Sequence, residues 1–152
     1  MTEIFFIGVT MIVVTVVIES CVIAVAVAAL DRTGAWLSRI SLLPRTVVVL
    51  STLSLWLLLG IGAALWVWAT LFIWIDEFTT FASSMYFTSV TATTLGFGDS
   101  LLSERWHLLS GFLAANGLLL FSLNTAFLFE ALRRIGESKQ IDGRRSATIK
   151  PE

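Results

Sequence analysis

Charge is scarce in this chain. Asp, Glu, Lys and Arg make up 14% of its 152 residues, against 57% hydrophobic residues. Soluble proteins carry roughly 25% charged and 45–50% apolar residues, and a soluble globule of this length has too little interior to hide such an excess. Cysteine is reduced to Cys21, inside an apolar run, which excludes a disulfide framework or a cysteine-based metal cluster. A net charge of -1 excludes a general nucleic-acid binder. The shortage of charge excludes a disordered chain. Lys and Arg are absent between Ile4 and Leu30, so that run is no voltage sensor. The composition, with a mean hydropathy of +0.88, is that of an integral membrane protein.

What is present is three long apolar runs, Ile4–Leu30, Thr46–Ile75 and Trp106–Leu132. As helices they reach roughly 40–45 Å, enough to cross a hydrocarbon core of about 30 Å with tilt. The first run has no basic n-region and far exceeds the apolar length of a cleaved signal peptide, so it is expected to remain as a span. Every Lys and Arg except Arg105 falls in the first connection (Arg32, Arg39, Arg45) or in the C-terminal segment (Arg133, Arg134, Lys139, Arg144, Arg145, Lys150). The positive-inside bias makes both segments cytoplasmic and the N-terminus external. Trp66, Trp68 and Trp74 are expected as interfacial anchors at the outer end of the second span. Basic residues of the C-terminal segment suit contact with anionic lipid, and the segment after Arg134 is expected to be too short for a ligand-binding regulatory domain.

The stretch from Asp76 to Arg105 is neither a span nor an ordinary polar loop. Thr79 or Thr80 is placed to cap a short helix, with Asp76 and Glu77 just before it. About 12 residues of helix give roughly 18 Å, half a bilayer. Thr91-Ala92-Thr93-Thr94-Leu95-Gly96-Phe97-Gly98-Asp99 then turns hydroxyl-rich and glycine-punctuated. Non-helical backbone is tolerated at membrane depth only where protein or water covers it. The stretch therefore reads as a re-entrant loop. It fails as a nucleotide loop, having no third glycine and no Gly-Lys-Ser/Thr.

Thr93-Thr94-Leu95-Gly96-Phe97-Gly98-Asp99 resembles the selectivity filter of the potassium channel family, usually written T-T-V-G-Y-G-D, and Tyr86 to Ala92 resembles that family's pore helix. The resemblance covers about Thr46 to Arg134, leaving the first span and the tail outside it. It implies that the carbonyls of Thr94, Leu95, Gly96 and Phe97 hold K+ as the permeant ion, and that Thr93, Gly98, Asp99 and Tyr86 support the filter. The physics agrees: rings of backbone carbonyls replace the hydration shell, and Gly96 and Gly98 accept positive φ at little cost. Leu95 replaces the usual Val and Phe97 the more frequent Tyr. Val90 stands where some members carry a carboxylate bonded to the filter Asp. Asp99 then needs another partner, and Tyr86, the only tyrosine, resembles the pore-helix aromatic that reaches it in relatives.

Several residues keep two readings. Gly117, mid-way along the third span, is a hinge or a helix-packing residue. Asn124 and Thr125 line an aqueous cavity or bond a neighbouring helix. Glu130 forms an acidic ring at the cytoplasmic mouth or pairs with Arg133 and Arg134 on its own helix. Glu19, an intramembrane carboxylate, senses protons or ions, or is a hydrogen-bonded structural acid. Gly60, Gly62, Ala63 and Ala64 offer a small-residue patch for the first or the inner helix.

The expected fold is an all-α membrane protein with three transmembrane helices per subunit, a re-entrant pore helix and a filter, in a tetrameric pore. Residues 1–33 form an additional N-terminal helix and 34–45 a basic connection. Residues 46–134 form a pore domain, with outer helix 46–75, pore helix 79–92, filter 93–99 and inner helix 105–134; 135–152 is a basic tail. One chain supplies one filter strand, so three identical subunits are the expected partners. The expected function is potassium conduction at the cell membrane, without enzymatic activity and with no cofactor beyond K+. The alternatives are a weakly selective cation channel, loosened by Leu95 and Phe97, and a non-conducting accessory or scaffold subunit.

Overall fold

A computed structural model describes the backbone of residues 2–37 and 42–148, and the side chains of 2–32, 44–134 and Gly136. Arg39 and Lys150, used above for orientation, lie outside the described residues, as do the side chains of Lys139, Arg144 and Arg145. Among the described residues the chain is wholly helical: α1 (Thr2–Leu37), α2 (Leu42–Trp74), α3 (Phe81–Ala92) and α4 (His107–Thr148). Three stretches are long and apolar enough to cross a membrane, Thr2–Arg32, Pro44–Trp74 and His107–Arg134. These helices are apolar around most of their circumference, as membrane spans are, and most of their surface faces outward from the subunit. The protein is an integral membrane protein.

The spans pack as a three-helix unit in which α1 touches both α2 and α4, and α3 is wedged between α2 and α4. Trp68 and Phe72 of α2, Phe87 and Ala92 of α3, Leu102, and Leu109 and Leu113 of α4 form one buried cluster. Phe72 and Phe87 meet edge to face at 5.4 Å, the offset geometry that aromatic quadrupoles favour. Trp68 corrects the anchor reading. It is fully buried in this cluster, whereas Trp66 and Trp74 are exposed, as interfacial anchors would be. A smaller cluster of Ala26, Val49, Leu53 and Ala131 joins α1, α2 and α4 toward their other ends.

Polar bonds complete the packing. The Ser84 hydroxyl donates to Ala69 O across 2.8 Å, pinning α3 to α2. The Trp56 indole donates to Val22 O at 2.9 Å, tying α2 to α1. The Asn116 amide donates to Thr15 Oγ1 at 2.8 Å, tying α4 to α1. Glu130 pairs along its own helix with Arg133 (3.2 Å) and Arg134 (3.0 Å), which is the surface-pair arrangement.

Candidate functional site

The site begins where α2 stops. Glu77 N–H donates to Phe72 O and Asp76 N–H to Ile73 O, with Asp76 at φ 59°. This is a left-handed helix end of the Schellman type, and it turns the chain back toward the membrane. Thr80 caps α3, its side chain accepting from Ser83 N–H at 3.2 Å; of the two threonines read as caps, it is the one used. Glu77 reaches forward over the loop to accept from the backbone N–H of Ser103 (2.7 Å) and its hydroxyl (2.5 Å). That staple joins the segments before α3 and after the glycine-punctuated strand. Sequence reasoning took Glu77 only as favourable charge before a helix. A partner 26 residues distant left no local signal.

The half-helix ends by folding its successor back on itself. Thr93 N–H donates to Ser89 O, Thr94 N–H to Thr91 O, and Leu95 N–H to Val90 O. The Thr93 hydroxyl also donates to Ser89 O at 2.8 Å and to Val90 O at 3.2 Å. From there the backbone alternates. Thr94 (φ 59°), Gly96 (φ 54°) and Gly98 (φ 77°) are left-handed, while Leu95 and Phe97 between them are not. Alternating hand turns successive peptide planes to one side of a strand, which no helix or sheet does. Glycine was the legible signal at 96 and 98. Thr94 was not, because a β-branched residue at positive φ is a strained outlier.

The remaining predicted residues divide. Tyr86 donates its hydroxyl to Asp99 Oδ2 at 2.8 Å. That bond, then burial, then the Asp99 charge raise the phenol above its ordinary value, so the donor stays protonated through neutral pH. Leu95 and Phe97 stand 59% and 66% exposed on the subunit. Behind the strand lies an open recess of about 380 Å³, bounded by Tyr86, Val90, Thr94, Asp99, Leu101 and Gly111. Thr125 is exposed, its hydroxyl donating to Phe121 O of its own helix.

Two residues sit differently from one of their readings. Asn124 is buried inside the subunit (6% exposed), with its amide beside the Glu19 carboxyl of α1, so it does not line an open cavity face. Gly117 is a contact point: a Cβ built there would lie 2.0 Å from Ala92 O and 2.9 Å from Ala92 Cα. The packing reading therefore accounts for Gly117, since only a glycine lets α4 pass the last residue of α3 at that distance. Small residues serve this way wherever membrane helices approach closely.

Tyr86→Phe keeps the ring and removes the donor to Asp99. It is expected to leave the fold intact and to loosen the strand around Asp99, read as severalfold faster amide hydrogen exchange there. In the native protein the bond should hold through neutral pH and fail only as the medium rises past the ordinary phenol value of about 10. Identical exchange in both proteins would remove Tyr86 from the support of this strand.

The geometry just described occupies one continuous stretch, from the second half of α2 through α3 and the alternating strand to the span of α4. No curated protein and no solved structure matches the chain, but residues 60–134, this same stretch, match the family model described as Ion channel.

Proposed function

We propose that four copies of this chain form a ring around a potassium-selective pore. In this reading residues 93–99 of each copy line the narrow part, with the carbonyls of Thr94, Leu95, Gly96 and Phe97 as the K+ sites. The observation that carries it is the alternating backbone hand from Thr94 to Gly98 at the C-terminal end of a half-helix. Carbonyls aligned on one side of a strand suit replacement of a cation's hydration shell. The negative end of each α3 dipole, roughly half a charge, favours a cation on the axis. Among the described residues there is one such strand, and carbonyls on all sides of an ion require several. The exposed Leu95 and Phe97 beside an open recess suit coverage by neighbouring copies.

Residues 46–134 serve as the pore domain in this proposal, and residues 1–33 as an added helix on its periphery. The distribution of Lys and Arg supports an external N-terminus and a cytoplasmic C-terminal segment in the cell membrane. Asp99 supplies negative charge at the outer mouth.

Reversal potentials of the purified protein in liposomes, under opposed K+ and Na+ gradients, test the proposal. The expected potential lies near the K+ equilibrium value, with Ba²⁺ competing against K+. A potential midway between the two ions would identify a weakly selective pore instead, and absence of any current with intact oligomers would identify an accessory subunit.

A further inference from the structure

The α1–α4 contact contains a buried polar pair that the pore itself does not use. Glu19 is 0% exposed and Asn124 6%. The Asn124 amide neighbours the Glu19 carboxyl, yet neither carboxyl oxygen, nor either polar atom of the amide, is in hydrogen-bond geometry with any group. Room for the carboxyl comes from α2: a Cβ on Gly60 would fall 2.6 Å from Glu19 Oε2. One turn away on α1, Thr15 takes the Asn116 amide proton, so the two helices meet along a polar seam.

Among the described residues no cation is paired with this carboxyl. On α1 the nearest titratable groups are Cys21, which is exposed, and beyond it Glu3, Asp31 and Arg32. On α2, Arg45 stands in the first turn and the apolar span from Thr46 to Trp74 carries none. Among the described side chains of α4 there are His107 at the far end, Glu130, six residues past Asn124 and about 9 Å along the axis, and beyond it Arg133 and Arg134, which pair with Glu130. Carboxyl and amide can meet in either protonation state, but with a different number of bonds. A carboxylic acid can donate its O–H to the amide oxygen and accept an N–H in return, whereas a carboxylate can only accept the N–H and leaves the amide oxygen without a donor. Intramembrane carboxyls pair in this way or mark ion and proton pathways.

We propose that Glu19 is a proton-binding site that ties the added helix α1 to α4 through Asn124, so that loss of the proton removes one of the two possible bonds and loosens α4 from α1. The tie is at full strength when the proton is bound and weakens as pH rises through the titration of the pair. Its effect on conduction rests on the channel reading; the proton site does not.

The test uses the full chain in liposomes, with two readouts. Infrared difference spectra across pH should show a titrating carboxylic acid band that is absent in Glu19→Gln and shifted to higher frequency in Asn124→Leu, which removes its amide partner. Open probability should vary with pH in the native protein and become independent of pH in Glu19→Gln. A difference spectrum identical in native protein and Glu19→Gln overturns the proposal, as does pH-dependent gating that survives in Glu19→Gln. If Asn124→Leu does not fold, the Glu19→Gln comparison decides alone. An acid band that titrates in a protein passing no current would sink the channel reading and leave the proton site standing.

Discussion

In the proposed pore, Gly96→Ala is expected to abolish potassium flux, or its preference over sodium, in a protein that still assembles. The subunit has open space where the new Cβ would sit, with no atom within 4 Å, so the effect is conformational. Gly96 holds φ 54°, and an L-residue with a Cβ is disfavoured there by about 1–2 kcal/mol. Repeated around the proposed ring of four, the penalty reaches about 4–8 kcal/mol, enough to empty the proposed conducting backbone. Thr94 already carries such a cost once per chain at φ 59°, held in place by the bonds that anchor residues 93–95 to the end of α3. No comparable anchor fixes residue 96 beyond a 3.3 Å bond to Val90 O. Ion-selective flux assays alongside chemical cross-linking of the oligomer separate loss of filter geometry from loss of assembly. Untouched flux in Gly96→Ala would refute the assignment of this strand as the filter.

Gly117→Ala has the second large expected effect, and magnitudes decide its sign. By helix propensity alone, alanine gains about 1 kcal/mol over glycine, and a hinge would merely stiffen. The structure puts Ala92 O 2.0 Å from the added methyl. Backbone is the obstacle, so α4 or α3 must move, and forced overpacking typically costs about 1–3 kcal/mol and sometimes more. Ala92 is the last residue of α3, immediately before Thr93 and Thr94, so displacement there reaches the filter. The expected outcome is a lower thermal stability together with reduced potassium selectivity, measured by unfolding of the purified oligomer and by reversal potentials. Normal selectivity and stability with only open probability changed would restore the hinge reading.

The parts of this protein legible in one dimension are those that depend on composition and local pattern. Hydrocarbon requires long uninterrupted apolar helices, so the three spans announce themselves in the sequence. A half-length helix needs a cap and a glycine-punctuated exit, and Thr80, Gly96 and Gly98 supply both. The Tyr86–Asp99 bond was within reach as well, since Asp99 lacked a carboxylate partner at Val90 and only one tyrosine stood nearby.

Which faces meet was another matter. A span apolar around its whole circumference has no polar side to indicate its orientation, so nothing in the sequence told Trp68, buried against Phe72, from Trp66 and Trp74 at the surface. The two readings of Gly117 divided only when α4 was seen crossing the carbonyl of Ala92. Asn124 turned to Glu19, more than a hundred positions earlier, and Gly60 proved to be the space that carboxyl occupies. The left-handed turn at Thr94 runs against its own β-branched preference and exists because the end of α3 holds it. The sequence by itself determined which segments enter the membrane, because burial in lipid is set by each segment's own composition. Tertiary structure alone decided which buried polar groups and close approaches face one another, because those contacts join residues that no local periodicity relates.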